Sequence, residues 1–91
     1  MSQLRYKVVF EYTLLSYPCG LESGDKLQVI KPIIVRDHRN RKTGQIHPEG
    51  EIWEVLPGTE SEPDIIWLRD PSGERQTWDE TIFDTFQKIK K

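Results

Sequence analysis

Proline and glycine punctuate this chain so closely between Pro18 and Gly73 that the intervals leave room for short strands and little else. Pro18-Cys19-Gly20, Glu22-Ser23-Gly24-Asp25, His47-Pro48-Glu49-Gly50 and Asp70-Pro71-Ser72-Gly73 are turn chemistry. Proline presets φ and lacks the N–H a ladder needs, and glycine takes backbone conformations closed to other residues. Between these clusters apolar residues recur with a period of two. Leu4, Tyr6, Val8, Phe10, Tyr12 and Leu14 share one face of a half-buried strand over 4–14, and Leu27 and Val29 point inward over 26–30. After Pro32 the β-branched run Ile33-Ile34-Val35 predicts a strand bent or interrupted at the proline. Residues 52–56 and 65–69 read as two more short strands, and Asp70-Pro71-Ser72-Gly73, with proline second and glycine fourth, predicts a type I turn closing a hairpin onto 74–78.

Two segments read as connections: 37–44, a hairpin tip or longer loop crowded with cations, and 57–64, too rich in proline and acid for either element. After Thr77 the period changes. Thr77 with Glu80 forms a capping box, and Ile82, Phe83, Phe86 and Ile89 make a helical stripe. Acidic Asp79 and Glu80 at the start and Lys88, Lys90 and Lys91 at the end suit the helix dipole, so a terminal helix of two or three turns is expected.

The expected fold is mainly β: a small antiparallel barrel or curled sheet of five to six strands with one C-terminal α-helix, in a single domain over 1–91. Within it, Gly20-Leu21-Glu22-Ser23-Gly24-Asp25-Lys26-Leu27-Gln28-Val29, then 49–56 and 65–69, resemble the Gly-Asp turn and middle strands of the SH3-like small β-barrel superfamily. That resemblance spans roughly residues 20–78 and implies an SH3-like barrel, a fold that hosts protein binding as well as nucleic-acid binding.

Composition narrows the function. The apolar share is 35%, so the nine aromatics, each burying roughly 150–250 Å², must carry much of the core. The formal charge of −2 supplies no global field for nucleic acid or anionic membrane, so any such binding is local. Cys19 is the sole cysteine, which excludes an internal disulfide and fits a reducing compartment. The N-terminal residues lack a signal-peptide core and apolar runs are short, which reads as a cytoplasmic chain with no membrane association.

The candidate binding residues are Arg36, His38, Arg39, Arg41 and Lys42, four fixed cations and an imidazole within seven positions, enough to engage phosphate or an acidic protein surface. No aromatics interleave them to stack bases, which favours a protein partner or a duplex backbone over single strands. Trp67, inside an unbroken apolar run, is the tryptophan expected to be buried, while Trp53 lies in a strand with apolar groups on both faces and is the candidate exposed anchor, since tryptophan and arginine dominate interface hot spots. Two histidines nine residues apart make no metal set, no glycine motif cradles phosphate, and Cys19 reads as a turn residue. No catalytic residue, metal or cofactor is therefore assigned. The chain is read as a non-enzymatic interaction module docking a protein partner through an exposed aromatic and the 36–42 loop; the alternative is nucleic-acid backbone binding by the same loop, aided by Lys88, Lys90 and Lys91.

Overall fold

A computed structural model describes residues 13–89. Most of the expected strand over 4–14 and the terminal Lys90 and Lys91 lie outside the described residues. The rest is antiparallel β. A five-stranded sheet runs in the order β8-β7-β5-β2-β9, with β2 Lys26–Val29, β5 Ile52–Val55, β7 Ile66–Arg69, β8 Arg75–Trp78 and β9 Phe86–Lys88. Two small ladders complete it, β1 (Thr13–Leu14) with β6 (Gly58–Thr59) and β3 (Ile33–Arg36) with β4 (Lys42–His47). The sheets are open: they do not close into a barrel.

Alternation sorts the faces of the main sheet, as the sequence implies for Leu27 and Val29. Leu27, Val29, Trp53, Val55, Ile66 and Leu68 point inward and are buried, with Tyr17, Leu21, Ile82 and Phe86 packed on them. The three expected strands flanking the turns become β2, β5 and β7, consecutive neighbours, and the Asp70–Gly73 turn closes β7 onto β8 with the Gly73 N–H donating to the Asp70 carbonyl at 2.9 Å. Pro32 ends the path of the chain through this sheet: β2 stops at Val29, and Ile33-Ile34-Val35 pairs with β4 instead.

Among the described residues the expected C-terminal α-helix is absent. Thr77 belongs to β8 opposite Trp67, so it cannot cap. Asp79 caps instead, its carboxylate accepting from the Thr81 N–H at 2.9 Å, and it starts a 3₁₀ turn, Glu80–Asp84, that ends at Thr85. Phe86–Lys88 then pairs with β2. The reason is tertiary: as a strand, β9 satisfies the outer ladder of β2 and sets Phe86 edge-on to both Trp53 and Trp78, with ring centroids 5.1 Å apart in each case. Phe83, part of the supposed stripe, is 45% exposed. The 57–64 loop is likewise corrected, because Gly58 and Thr59 form β6.

One side chain shapes the route out of the sheet. The Leu56 N–H donates directly to the Trp67 carbonyl at 2.8 Å, continuing the β5–β7 ladder. The return bond is opened: the Trp67 N–H donates to the Tyr17 hydroxyl at 3.2 Å, which donates to the Leu56 carbonyl at 2.6 Å. The phenol thus stands inside the ladder, where β5 diverges into β6. Gly58 permits this, since a Cβ there would lie 2.7 Å from the Tyr17 oxygen. Burial pushes the Tyr17 hydroxyl above its ordinary pKa.

Candidate docking surface

The basic segment sits on a two-stranded arm. Ile33, Ile34 and Val35 are β-branched and favour the extended backbone of β3, and β4 returns beside them with Ile33 opposite His47 and Ile34 opposite Ile46. The register then shifts, so that the next pair is Arg36 with Lys42. Gly44, at φ 90°, lies in the extra β4 residues and supplies the left-handed backbone that a bulge needs. Lys42, Thr43 and Gly44, expected in the loop, are therefore strand, and the tip narrows to 37–41.

The tip is organised by Asp37. One carboxylate oxygen accepts from the N–H groups of Arg39 and Arg41, both at 2.9 Å, and the other pairs with the Arg41 guanidinium at 3.3 Å. The Arg41 N–H above all, together with the Arg39 N–H and the Arg41 side chain, holds the Asp37 carboxyl below its ordinary pKa against the opposing effect of desolvation. Asn40 adopts φ 62°, a conformation asparagine tolerates, and its carbonyl accepts from Arg36 Nη1 at 3.0 Å. Arg41 is thereby neutralised. Among the described residues Arg36, Arg39 and Lys42 have no carboxylate partner, and His38 is exposed beside them. Arg36 and Lys42 face each other directly across the hairpin, a like-charge placement that costs stability.

Trp53 is not part of this surface. It is 1% exposed, at the centre of the core. Its inward face is set by the alternation with Val55, and it is Ile52, its neighbour on the outer face, that is exposed. Trp53 nevertheless holds the arm from below. Its indole N–H donates to Glu51 Oε1 at 2.9 Å, the same oxygen accepts from His47 Nδ1 at 2.8 Å, and the His47 ring stands edge-on to the indole at 4.9 Å. This network fixes the last residue of β4 to the core. Trp67, expected to be the buried tryptophan, is half-buried on the outer face, with the Arg75 guanidinium 4.8 Å above its ring.

Comparison of the chain with protein-family models, curated proteins and solved structures gives no match.

The arm also carries features the basic run did not announce. Ile34 and Ile46, a cross-strand pair, are 44% and 58% exposed. Ile46 lines a groove of about 280 Å³ between β4 and the β7–β8 turn, whose other walls are Gln45, His47, Glu51, Asp70, Ser72 and Glu74. The arm is therefore basic at its tip and acidic at its base, with an apolar step between. The alternation of Ile34 with Val35 carried a trace of this, but the exposure depends on β3 leaving the main sheet. Lys88 lies beside the start of β2, where it pairs with Asp25 at 3.3 Å, whereas the arm follows the end of β2, so it does not join the basic tip.

The other reactive groups are engaged or isolated. Asp70 Oδ1 accepts from the Ser72 hydroxyl at 2.6 Å and from the Ser72 and Glu74 N–H groups, and Oδ2 from Gln76. Burial opposes ionisation of this carboxyl, but these donors together hold it below its ordinary pKa. Cys19 is exposed on a separate groove of about 240 Å³ shared with Pro18, Pro63, Asp64, Ile66 and Glu80; neither histidine lines it. Among the described residues no three His, Cys, Asp or Glu side chains are grouped to hold a metal ion, and no helix is long and apolar enough to cross a membrane.

Proposed function

We propose that this chain is a non-enzymatic interaction module that docks a protein partner through the β3–β4 arm. The observation that carries the reading is the direct opposition of Arg36 and Lys42 at the end of an arm whose only internal ion pair is Arg41 with Asp37. Cations set against each other weaken a hairpin, and an acidic partner would turn that cost into binding. The apolar component of the surface is the Ile34–Ile46 pair in place of Trp53. A protein is favoured over a nucleic-acid backbone because Glu51, Asp70 and Glu74 line the groove at the arm's base and would repel phosphates. The SH3-like resemblance of residues 20–78 belongs to the same proposal, supported by the adjacency of β2, β5 and β7 in one antiparallel sheet.

The experiment is capture from cell extract on the immobilised chain beside an Arg39→Glu, Lys42→Glu variant, with a nuclease-treated arm in parallel. A protein retained by the wild type, lost by the variant and indifferent to nuclease is expected. Retention by both forms would overturn the reading, and loss on nuclease treatment would transfer it to nucleic acid.

A further inference from the structure

We propose that the face of the main sheet turned away from the core binds single-stranded nucleic acid, with bases against Trp67 and phosphates on Arg69 and Arg75. This surface is separate from the arm and does not rest on the docking reading.

Alternation supplies the side chains of this face, and their contacts fix them there. Leu27, Trp53, Val55, Ile66 and Leu68 are buried on the inner face, so Lys26, Glu54, Trp67 and Arg69 turn outward. The register sets Lys26, Glu54, Arg69 and Arg75 in one row across β2, β5, β7 and β8. Glu54 pairs with Lys26 at 3.6 Å and with Arg69 at 3.4 Å, and the Arg75 guanidinium lies 4.8 Å from the centroid of the Trp67 ring. With neighbouring strands about 4.8 Å apart, the row spans about 14 Å. One carboxylate thus answers three cations, and Arg69 and Arg75 are direct cross-strand partners of like charge. An anion laid along the row relieves that repulsion.

Beside the row a groove of about 510 Å³ is lined by Ile65, Trp67, Thr77, Trp78 and Asp79. Arg75 is not among its walls, so the guanidinium rests on part of the indole and leaves the remainder to the groove. The cations of the arm have no aromatic between them. Here an indole adjoins a pair of arginines, the combination that stacks unpaired bases while holding their phosphates. A duplex keeps its bases stacked on one another and gains only the charge. Asp79, whose Oδ1 is bonded to Thr81, disfavours an acidic peptide in the groove, whereas it can accept from the amino groups of bases. It lies four residues along the strand from Arg75, about 13 Å from the phosphate positions.

The test is fluorescence anisotropy of a labelled single-stranded DNA of mixed sequence, about 12 nucleotides long, titrated with the full chain, with the corresponding duplex and polyglutamate in parallel. The wild type is expected to bind the single strand at about 0.05 M salt and to prefer it to the duplex. Two phosphate contacts predict that log K falls with log salt at a slope of about −1.4. Arg75→Glu is expected to weaken binding about tenfold or more and to flatten that slope. Loss of fold does not explain that result, because the substitution turns a like-charge cross-strand pair into an attractive one. Trp67→Ala is expected to weaken binding about tenfold with the slope unchanged, thermal unfolding confirming that the variant is folded at the assay temperature. The arm variant Arg39→Glu, Lys42→Glu is expected to bind as the wild type does. No binding at low salt, a duplex or polyglutamate bound as tightly as the single strand, or an Arg75→Glu variant that binds like the wild type overturns the inference. Binding lost in the arm variant and kept in Arg75→Glu overturns it too, and assigns nucleic acid to the arm. In the first three cases the docking reading of the arm is untouched.

Discussion

Replacing Tyr17 by Phe removes one oxygen and, with it, the link that holds the β5–β7 ladder open. Two backbone groups lose their partner: the buried Leu56 carbonyl, bonded at 2.6 Å, and the half-buried Trp67 N–H, bonded at 3.2 Å. Each unsatisfied group costs about 1–3 kcal/mol, the partly wet N–H at the low end, so the expected loss is about 2–4 kcal/mol. The ring stays in place and no cavity opens, so packing contributes little. With a urea m-value on the order of 1–1.5 kcal/mol/M, the midpoint should fall by about 2 M or more without a change in m. Equilibrium urea unfolding followed by tryptophan fluorescence reads this directly, and amide exchange at Trp67 should accelerate in parallel. The reasoning is refuted if stability changes by less than about 0.5 kcal/mol and the Trp67 amide stays protected. The ladder would then have closed by direct bonding, and the phenol would be a passenger. Gly58→Ala should approach the same loss by another route, since its Cβ would meet the Tyr17 ring at 2.7–3.0 Å.

Phe86→Ala should cost about 3–5 kcal/mol by emptying the junction between Trp53 and Trp78; thermal unfolding checks it, and a change under about 1 kcal/mol would mean that β9 is not docked. Asp70 has a folded pKa below its ordinary 3.8, so its contribution is present above that value and is lost as pH falls through the folded pKa. Acid unfolding curves should show wild-type stability dropping below about pH 4 while Asp70→Asn, less stable at neutral pH, stays flatter there. Gly44→Val should destabilise the arm by about 1–2 kcal/mol through backbone strain alone, because nothing stands within 4 Å of a Cβ at that position; hydrogen exchange over β3 and β4 should quicken while the main sheet is unchanged.

The sequence by itself determined what local chemistry can determine. Period-two alternation fixed which residues of β2 face inward, proline and glycine fixed where strands stop, and the Asp70–Gly73 turn fixed one hairpin, because each is a property of a few adjacent residues. The cations of 36–42 were legible for the same reason. What required the tertiary structure was every choice between two locally acceptable outcomes. Residues 80–89 carry helical spacing, yet the open edge of β2 and the space between Trp53 and Trp78 drew Phe86 into a strand. Trp53 and Trp67 both sit in apolar strands; a one-residue difference in register against the core buried the first and left the second under Arg75. The arm became a basic tip standing over an acidic groove only because the chain leaves the main sheet before Pro32 and β4 returns beside the 70–74 turn, a meeting of residues distant in the chain that no local pattern encodes.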